Sequence, residues 1–138
     1  MQILIFHINC LISFQGVFCL LLRPVDDSGD ILPVLSSSVL VSGSLAVTQL
    51  VRDRLNLLSG EWWENPAWGC DVFEMMRAGR VTAQDVSALS SYLCSYIAAT
   101  RGVRSVEDVH AALSGRQLTF SCRVVTADGA GTVEVMSR

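Results

Sequence analysis

The apolar residues of this chain follow a helical period from Ser44 and a period of two near the C-terminus, and that change limits the order in which structure can form. From Ser44 to Leu58, Val47, Leu50, Val51, Leu55 and Leu58 share one helix face, with Thr48, Arg52 and Asn56 on a polar face. A short helix is predicted over Val72-Phe73-Glu74-Met75-Met76, ending near Gly79. A longer helix is predicted from about Ala83 to Ala99, with Val86, Leu89, Leu93, Tyr96 and Ile97 as its apolar face. Thr82 suits its N-cap, Asp85 stands where a capping box has glutamate, and Gly102 suits the C-terminal stop. The period then becomes two. Leu118, Phe120, Cys122 and Val124 alternate with Thr119, Ser121, Arg123 and Val125, and a turn at Ala127-Asp128-Gly129-Ala130-Gly131 leads into Val133 and Val135. Two such strands make an antiparallel hairpin. The order strand, helices, then strands predicts an α+β fold, two main helices packed against a small antiparallel sheet.

Two segments are less determined. Between Val103 and Leu113, Ser105 with Asp108 could cap a short helix, while Gly115 and the strand beyond it suit a meander. Near the start, the turn-forming cluster Asp26-Asp27-Ser28-Gly29-Asp30 precedes the apolar runs Ile31-Leu32-Pro33-Val34 and Ser36-Ser37-Ser38-Val39-Leu40-Val41. These runs predict an N-terminal strand or two, with Pro33 at an edge.

Residues 1–22 carry no charge, and composition changes abruptly at Arg23-Pro24-Val25-Asp26-Asp27. The apolar stretch is nearly long enough to cross a bilayer as a helix. It has no basic n-region and no small-residue cleavage site, and His7, Asn9 and Gln15 interrupt it. A membrane anchor, a buried or disordered extension, and a translated upstream stretch outside the working protein all fit. The working domain is expected over residues 23–138, long enough for one core. Its net charge of −3 argues against a phosphate-binding surface, so no nucleic-acid partner is expected. A membrane partner would follow only if residues 1–22 were a true anchor.

Little in the chain suits catalysis. Of two histidines, His7 lies in the apolar leader and His110 has no nucleophile beside it in sequence. There is no phosphate loop, no GxGxxG and no metal-ligand spacing. Cys10, Cys19, Cys70, Cys94 and Cys122 are odd in number and lack CxxC spacing, which argues against zinc and a disulfide framework. Cys94 and Cys122 are expected as small core residues. No catalytic, cofactor-binding or metal-binding residue is expected. The one enzymatic alternative uses Glu61, Glu64, Asp71 and Glu74 in lysozyme-like cell-wall hydrolysis, which requires two carboxylates flanking a sugar.

Those carboxylates surround a crowded segment, Gly60-Glu61-Trp62-Trp63-Glu64-Asn65-Pro66-Ala67-Trp68-Gly69, which holds every tryptophan of the chain. Tryptophan and arginine are the side chains that most often anchor protein–protein contacts. The segment therefore reads as a docking element, the alternative being that its indoles complete the domain's own core. Arg54 interrupts the apolar stripe of the preceding helix. Its stem could pack while its head reaches water, or it could pair with Glu61.

The run Val51-Arg52-Asp53-Arg54-Leu55-Asn56-Leu57-Leu58, leading into Gly60-Glu61-Trp62 and then Pro66-Ala67-Trp68-Gly69, resembles the gene-25-like baseplate wedge proteins of contractile phage tails. Relatives of these occur in type VI secretion baseplates. The resemblance spans roughly Asp30 to Met136. It implies a small α+β domain with Val103 to Leu113 as a strand of the meander. It also implies a structural role, linking the wedge to the sheath and supporting sheath assembly. The implied partners are other wedge proteins and tail sheath or tube proteins, and the implied location is the virion baseplate, assembled in the host cytoplasm. Carried onto this chain, the interaction residues are Arg54, Glu61, Pro66 and Gly69, to which the aromatic loop adds Trp62, Trp63 and Trp68. The better-known branch has arginine directly after the glutamate. Trp62 stands there in this chain, as in the Mu-like or tailocin branch, where an aromatic follows.

Overall fold

The computed structural model describes residues 12–14, 17–26, 30–33, 40–77, 83–115 and 117–136. Among these residues eight elements follow one another: β1 (Ile12–Phe14), β2 (Val17–Cys19), α1 (Gly43–Asn56), α2 (Val72–Arg77), α3 (Ala83–Ala98), β3 (Val103–Ser114), β4 (Gln117–Thr126) and β5 (Ala130–Met136). β1 and β2 form a small antiparallel hairpin, and β3-β4-β5 form an antiparallel meander with β4 in the middle. The helices lie on one face of the meander, α1 against β5 and β4 and α3 against β3. This is the α+β arrangement that the change of period predicts. Among the described residues no helix is long and apolar enough to cross a membrane.

The core is built on the alternation in β4. Leu118, Phe120, Cys122 and Val124 all point inward and are fully buried, while Thr119 and Arg123 lie exposed on the opposite face. Helix α1 contributes Val51 and Leu55 and helix α3 contributes Leu89, Leu93 and Ile97, each at helical spacing. Cys122 belongs to this core and Cys94 packs at its margin, as small apolar residues do. Between the end of α3 at Ala98 and the start of β3, Gly102 takes φ +95°. A Cβ there would lie 2.7 Å from Val47 Cγ2, so glycine serves both the turn and the close approach of α1.

Val103–Ser114 is one strand, as the family resemblance implies. Ser105 does not cap a helix; its hydroxyl donates to Glu107 Oε1 at 3.2 Å. Pairing with β4 along nearly the full length overrides the local capping signal. The ladder shifts register twice, between Val103 and Ser105 and between Glu107 and His110. At the second shift Asp108 adopts φ +48°, and its carboxylate lies 3.7 Å from the Arg123 guanidinium on the neighbouring strand. One extra residue inserted in this way is a β-bulge.

The N-terminal strands expected around Ile31 and Val41 do not form among the described residues. Isolated antiparallel bridges stand in their place, Val25 with Ile31 and Leu22 with Val41. Leu32 N–H donates to the Pro24 carbonyl at 2.9 Å. Pro24 and Pro33 have no N–H to offer, so a ladder cannot continue through them. Residues 34–39, and with them most of the second predicted strand, lie outside the described residues, as do Thr82 and Gly79. Leu22 is buried and exchanges two backbone hydrogen bonds with Val41, at 2.9 and 2.8 Å.

Candidate functional site: a closed tryptophan loop

Helix α1 ends at Asn56, and the chain leaves it as a loop with a tied neck. Cys70 N–H donates to the Leu57 carbonyl at 2.8 Å, and Leu58 forms a parallel bridge with Cys70. Inside the neck, backbone hydrogen bonds tie the loop to itself. Gly60 N–H donates to Pro66 O at 3.1 Å, Asn65 N–H to Trp62 O at 3.2 Å, and Trp68 N–H to Asn65 O at 2.9 Å. Pro66, which lacks a donor, serves as acceptor. Compact loops with closed ends of this kind are frequently functional.

Glu61 closes the first turn from both sides. Its N–H donates to Leu58 O at 3.1 Å, and its Oε2 accepts from Leu58 N–H at 3.0 Å. Gly69 makes the return step at φ +136°, packed so tightly that a Cβ would fall 2.5 Å from the backbone of Leu58 and Ser59.

Arg54 does not pair with Glu61. Its Nη1 donates to Thr100 Oγ1, and its guanidinium lies 4.5 Å from the Tyr96 ring centroid and 6.0 Å from that of Trp68. The Glu61 carboxylate is already taken by the amide three residues before it. The face of α1 that carries Arg54 meets α3 rather than the loop's acidic side. Arg54 is thereby held over an aromatic face, where a desolvated guanidinium is well stabilised. Tyr96 OH in turn donates to Arg54 O at 3.3 Å, and Tyr92 stacks on Tyr96 with ring centroids 6.0 Å apart. Asp71 N–H donates to Tyr92 Oη at 2.9 Å, fastening the far side of the neck to α3.

The three indoles divide. Trp62 is half-buried and meets Trp68 edge-to-face at 4.9 Å. Trp68 keeps 42% of its surface exposed and Trp63 82%. One indole is thus half-buried and two are exposed. Of the expected interaction residues, Arg54 lies against Tyr96 of α3 with Trp68 and then Trp62 beside it, Glu61, Pro66 and Gly69 shape the loop, and Trp63 projects from it.

Sequence reasoning assigned Tyr96 only to an apolar face and passed over Tyr92 and Thr100. The available signal was their i, i+4, i+8 spacing, which lines polar atoms along one edge of α3. Burial pushes the Tyr92 and Tyr96 phenols up, and it does the same to the Cys70 thiol. Cys70 is thus held as a protonated core thiol.

Asp53 was also missed. Burial pushes its carboxyl from 3.8 to about 6, against the opposing pull of Arg52. Since the folded state holds this proton more tightly than the unfolded one, Asp53 favours folding below pH 4. That contribution is lost as pH rises through 6. Asp53→Asn is expected to stabilise the domain by about 1–2 kcal/mol at neutral pH once solvent screening is discounted. The gain should vanish near pH 4 in chemical denaturation series; an equal gain at both pH values would sink the assignment.

Residues 24–129 match the model of a family described as contractile injection system sheath initiator. No curated protein matches the sequence. The fold is similar to a crystal structure described as a putative tail lysozyme from Geobacter sulfurreducens. That likeness has a TM-score of 0.56 over 77% of this chain and 95% of the other, at 14% identity. At that identity the likeness speaks for the fold alone. The family match covers most of the chain, and the chain belongs to the contractile injection system sheath initiator family.

Proposed function

We propose that this protein is a structural baseplate component of a contractile phage tail or related injection device, of the gene-25-like wedge type. In this reading it links the wedge to the sheath and supports sheath assembly, with Arg54, Glu61, Trp62, Trp63, Pro66, Trp68 and Gly69 forming the docking loop. The family match supports a sheath-associated role in a contractile injection system. The observation that carries the docking assignment is Trp63, exposed on a loop that backbone hydrogen bonds tie at its neck and across its interior. A rigid loop loses little conformational entropy when it binds.

The cell-wall hydrolase alternative has weaker support. Glu61, Glu64, Asp71 and Glu74 are all exposed, Glu61 is held by Leu58, and Glu74 lies 3.2 Å from Arg77. A glycosidase instead places two carboxylates on either side of a bound sugar. The domain is proposed to span residues 23–138, supported by a family match that starts at residue 24.

Co-expression of the full chain with the products of neighbouring tail genes, followed by size-exclusion chromatography with mass detection, tests the proposal. A stable hetero-complex is expected, and the same material should fail to clear a cell-wall suspension. A monomer that clears the suspension would reverse the reading. Glu61→Ala removes the side-chain acceptor at Leu58 N–H and is expected to weaken this complex while leaving the helical circular-dichroism signal nearly unchanged. Undiminished assembly would separate Glu61 from docking.

A further inference from the structure

The docking surface has a charge character that the rest of the chain does not share. From Leu55 through Met76 there is no basic residue and four carboxylates fall there; with the flanking Arg54 and Arg77 the stretch 54–77 carries −2 of the chain's net −3, Arg54 lying 6.0 Å from the Trp68 centroid and Arg77 3.2 Å from Glu74. Glu61, Glu64, Asp71 and Glu74 are all exposed. Between them lie exposed apolar side chains: Trp63 and Trp68 on the loop, then Phe73 and Met75 on α2. Helix α2 begins just past the tied neck and turns Val72 and Met76 to the core, which leaves Phe73, Glu74 and Met75 facing outward. Loop and helix thus present aromatic and acidic groups in one continuous stretch of chain.

Resting on the docking reading, we infer that the partner segment seated here carries arginines set among apolar side chains. Arginine satisfies both features of the surface at once. Its planar guanidinium stacks on an indole face and forks two N–H donors onto a carboxylate, whereas a lysine ammonium is a strongly hydrated point charge. The protein already contains such a seat within itself, with the Arg54 guanidinium 4.5 Å from the Tyr96 centroid and bonded to Thr100. The outward faces of Trp63 and Trp68 would offer the equivalent platform to a guanidinium supplied by another chain. A nucleic-acid or other anionic partner is opposed by the same carboxylates.

Every tryptophan of the chain lies in this loop, so intrinsic fluorescence of the full-length protein reports on this surface alone. The probe is a synthetic amphipathic peptide of alternating arginine and leucine turns, compared with versions bearing lysine or glutamate at the arginine positions. The arginine peptide is expected to shift tryptophan emission to the blue and to bind more tightly than the lysine peptide. Its affinity should fall with added salt and drop about tenfold in the Glu64→Gln/Glu74→Gln double variant. Glu107→Gln/Glu134→Gln, on the sheet, should leave binding unchanged. Equal binding of the glutamate peptide, or equal loss in the sheet variant, overturns the inference.

The co-expressed complex separates this inference from the docking reading. Loss of the complex in Trp63→Ala, with no effect of salt or of Glu64→Gln/Glu74→Gln, keeps the docking reading and overturns the arginine partner. An intact complex in Trp63→Ala overturns the docking reading itself. A dimer of the chain alone that Glu64→Gln dissociates would assign the seat to a second copy and overturn a separate partner chain.

Discussion

Replacing Gly69 with alanine is expected to destabilise the domain by about 3 kcal/mol or more, because two separate penalties fall on one atom. The backbone stands at φ +136°, a region that side-chain-bearing residues rarely adopt. Strained backbone of this type costs about 1–3 kcal/mol by itself. The added Cβ would also lie 2.5 Å from Leu58 C and O and from Ser59 N, which are backbone atoms and cannot rotate away. Relief requires opening the Leu58–Cys70 bridge, and that bridge holds the loop to the end of α1 and the start of α2. Cys70 and Val72, both buried in the core, would move with it. The midpoint of urea unfolding should therefore fall, and tryptophan emission should shift to the red. A variant as stable as the parent would show that the loop is not tied as described.

Trp63→Ala is expected to do the reverse. With 82% of its surface exposed, Trp63 has little to lose on truncation, so stability should stay within about 0.5 kcal/mol of the parent. Assembly with baseplate partners should weaken by about 2–4 kcal/mol, roughly 30- to 1,000-fold in Kd, as for a central aromatic anchor. Circular dichroism and urea unfolding on one side, and co-elution on the other, measure the two effects independently. Loss of fold together with loss of assembly would return Trp63 to the domain's own core. Taken together, the two variants separate the residue that builds the loop from the residue that the loop presents.

The helices and the central strand could be read from the sequence because their signals are local. The spacing of Val47, Val51 and Leu55 allows burial only on a helix, and the alternation of Leu118, Phe120, Cys122 and Val124 only on a strand with one face inward. The borders of the tryptophan loop were legible for a similar reason, since glycines and a proline bracket an unusual density of indoles. Cys94 and Cys122 likewise declared themselves by apolar position. What the chain could not declare alone was anything set by an element far away in sequence. Val103–Ser114 carries a helix-capping pattern at Ser105 and Asp108, and the residues themselves left helix and strand open. The structure shows a strand because nearly the whole length of β4 pairs with it. The runs at Ile31 and Val41 carry strand composition, and among the described residues they form isolated bridges, with Pro24 and Pro33 unable to donate to a ladder.

Arg54 shows the same division at the site. Its interruption of an apolar stripe was evident from the sequence, and that interruption demanded a partner for the charge. Which partner it found depended on the docking of α3, which brings Tyr96 and Thr100, more than forty residues later in the chain, within reach of the guanidinium. Glu61, close in sequence, was already committed to the Leu58 amide. Short-range patterns determine which elements form and which groups must be satisfied; the packing of α3 on the sheet decides which groups meet, because a charge leaving water takes the donors, acceptors and ring faces that the finished core provides.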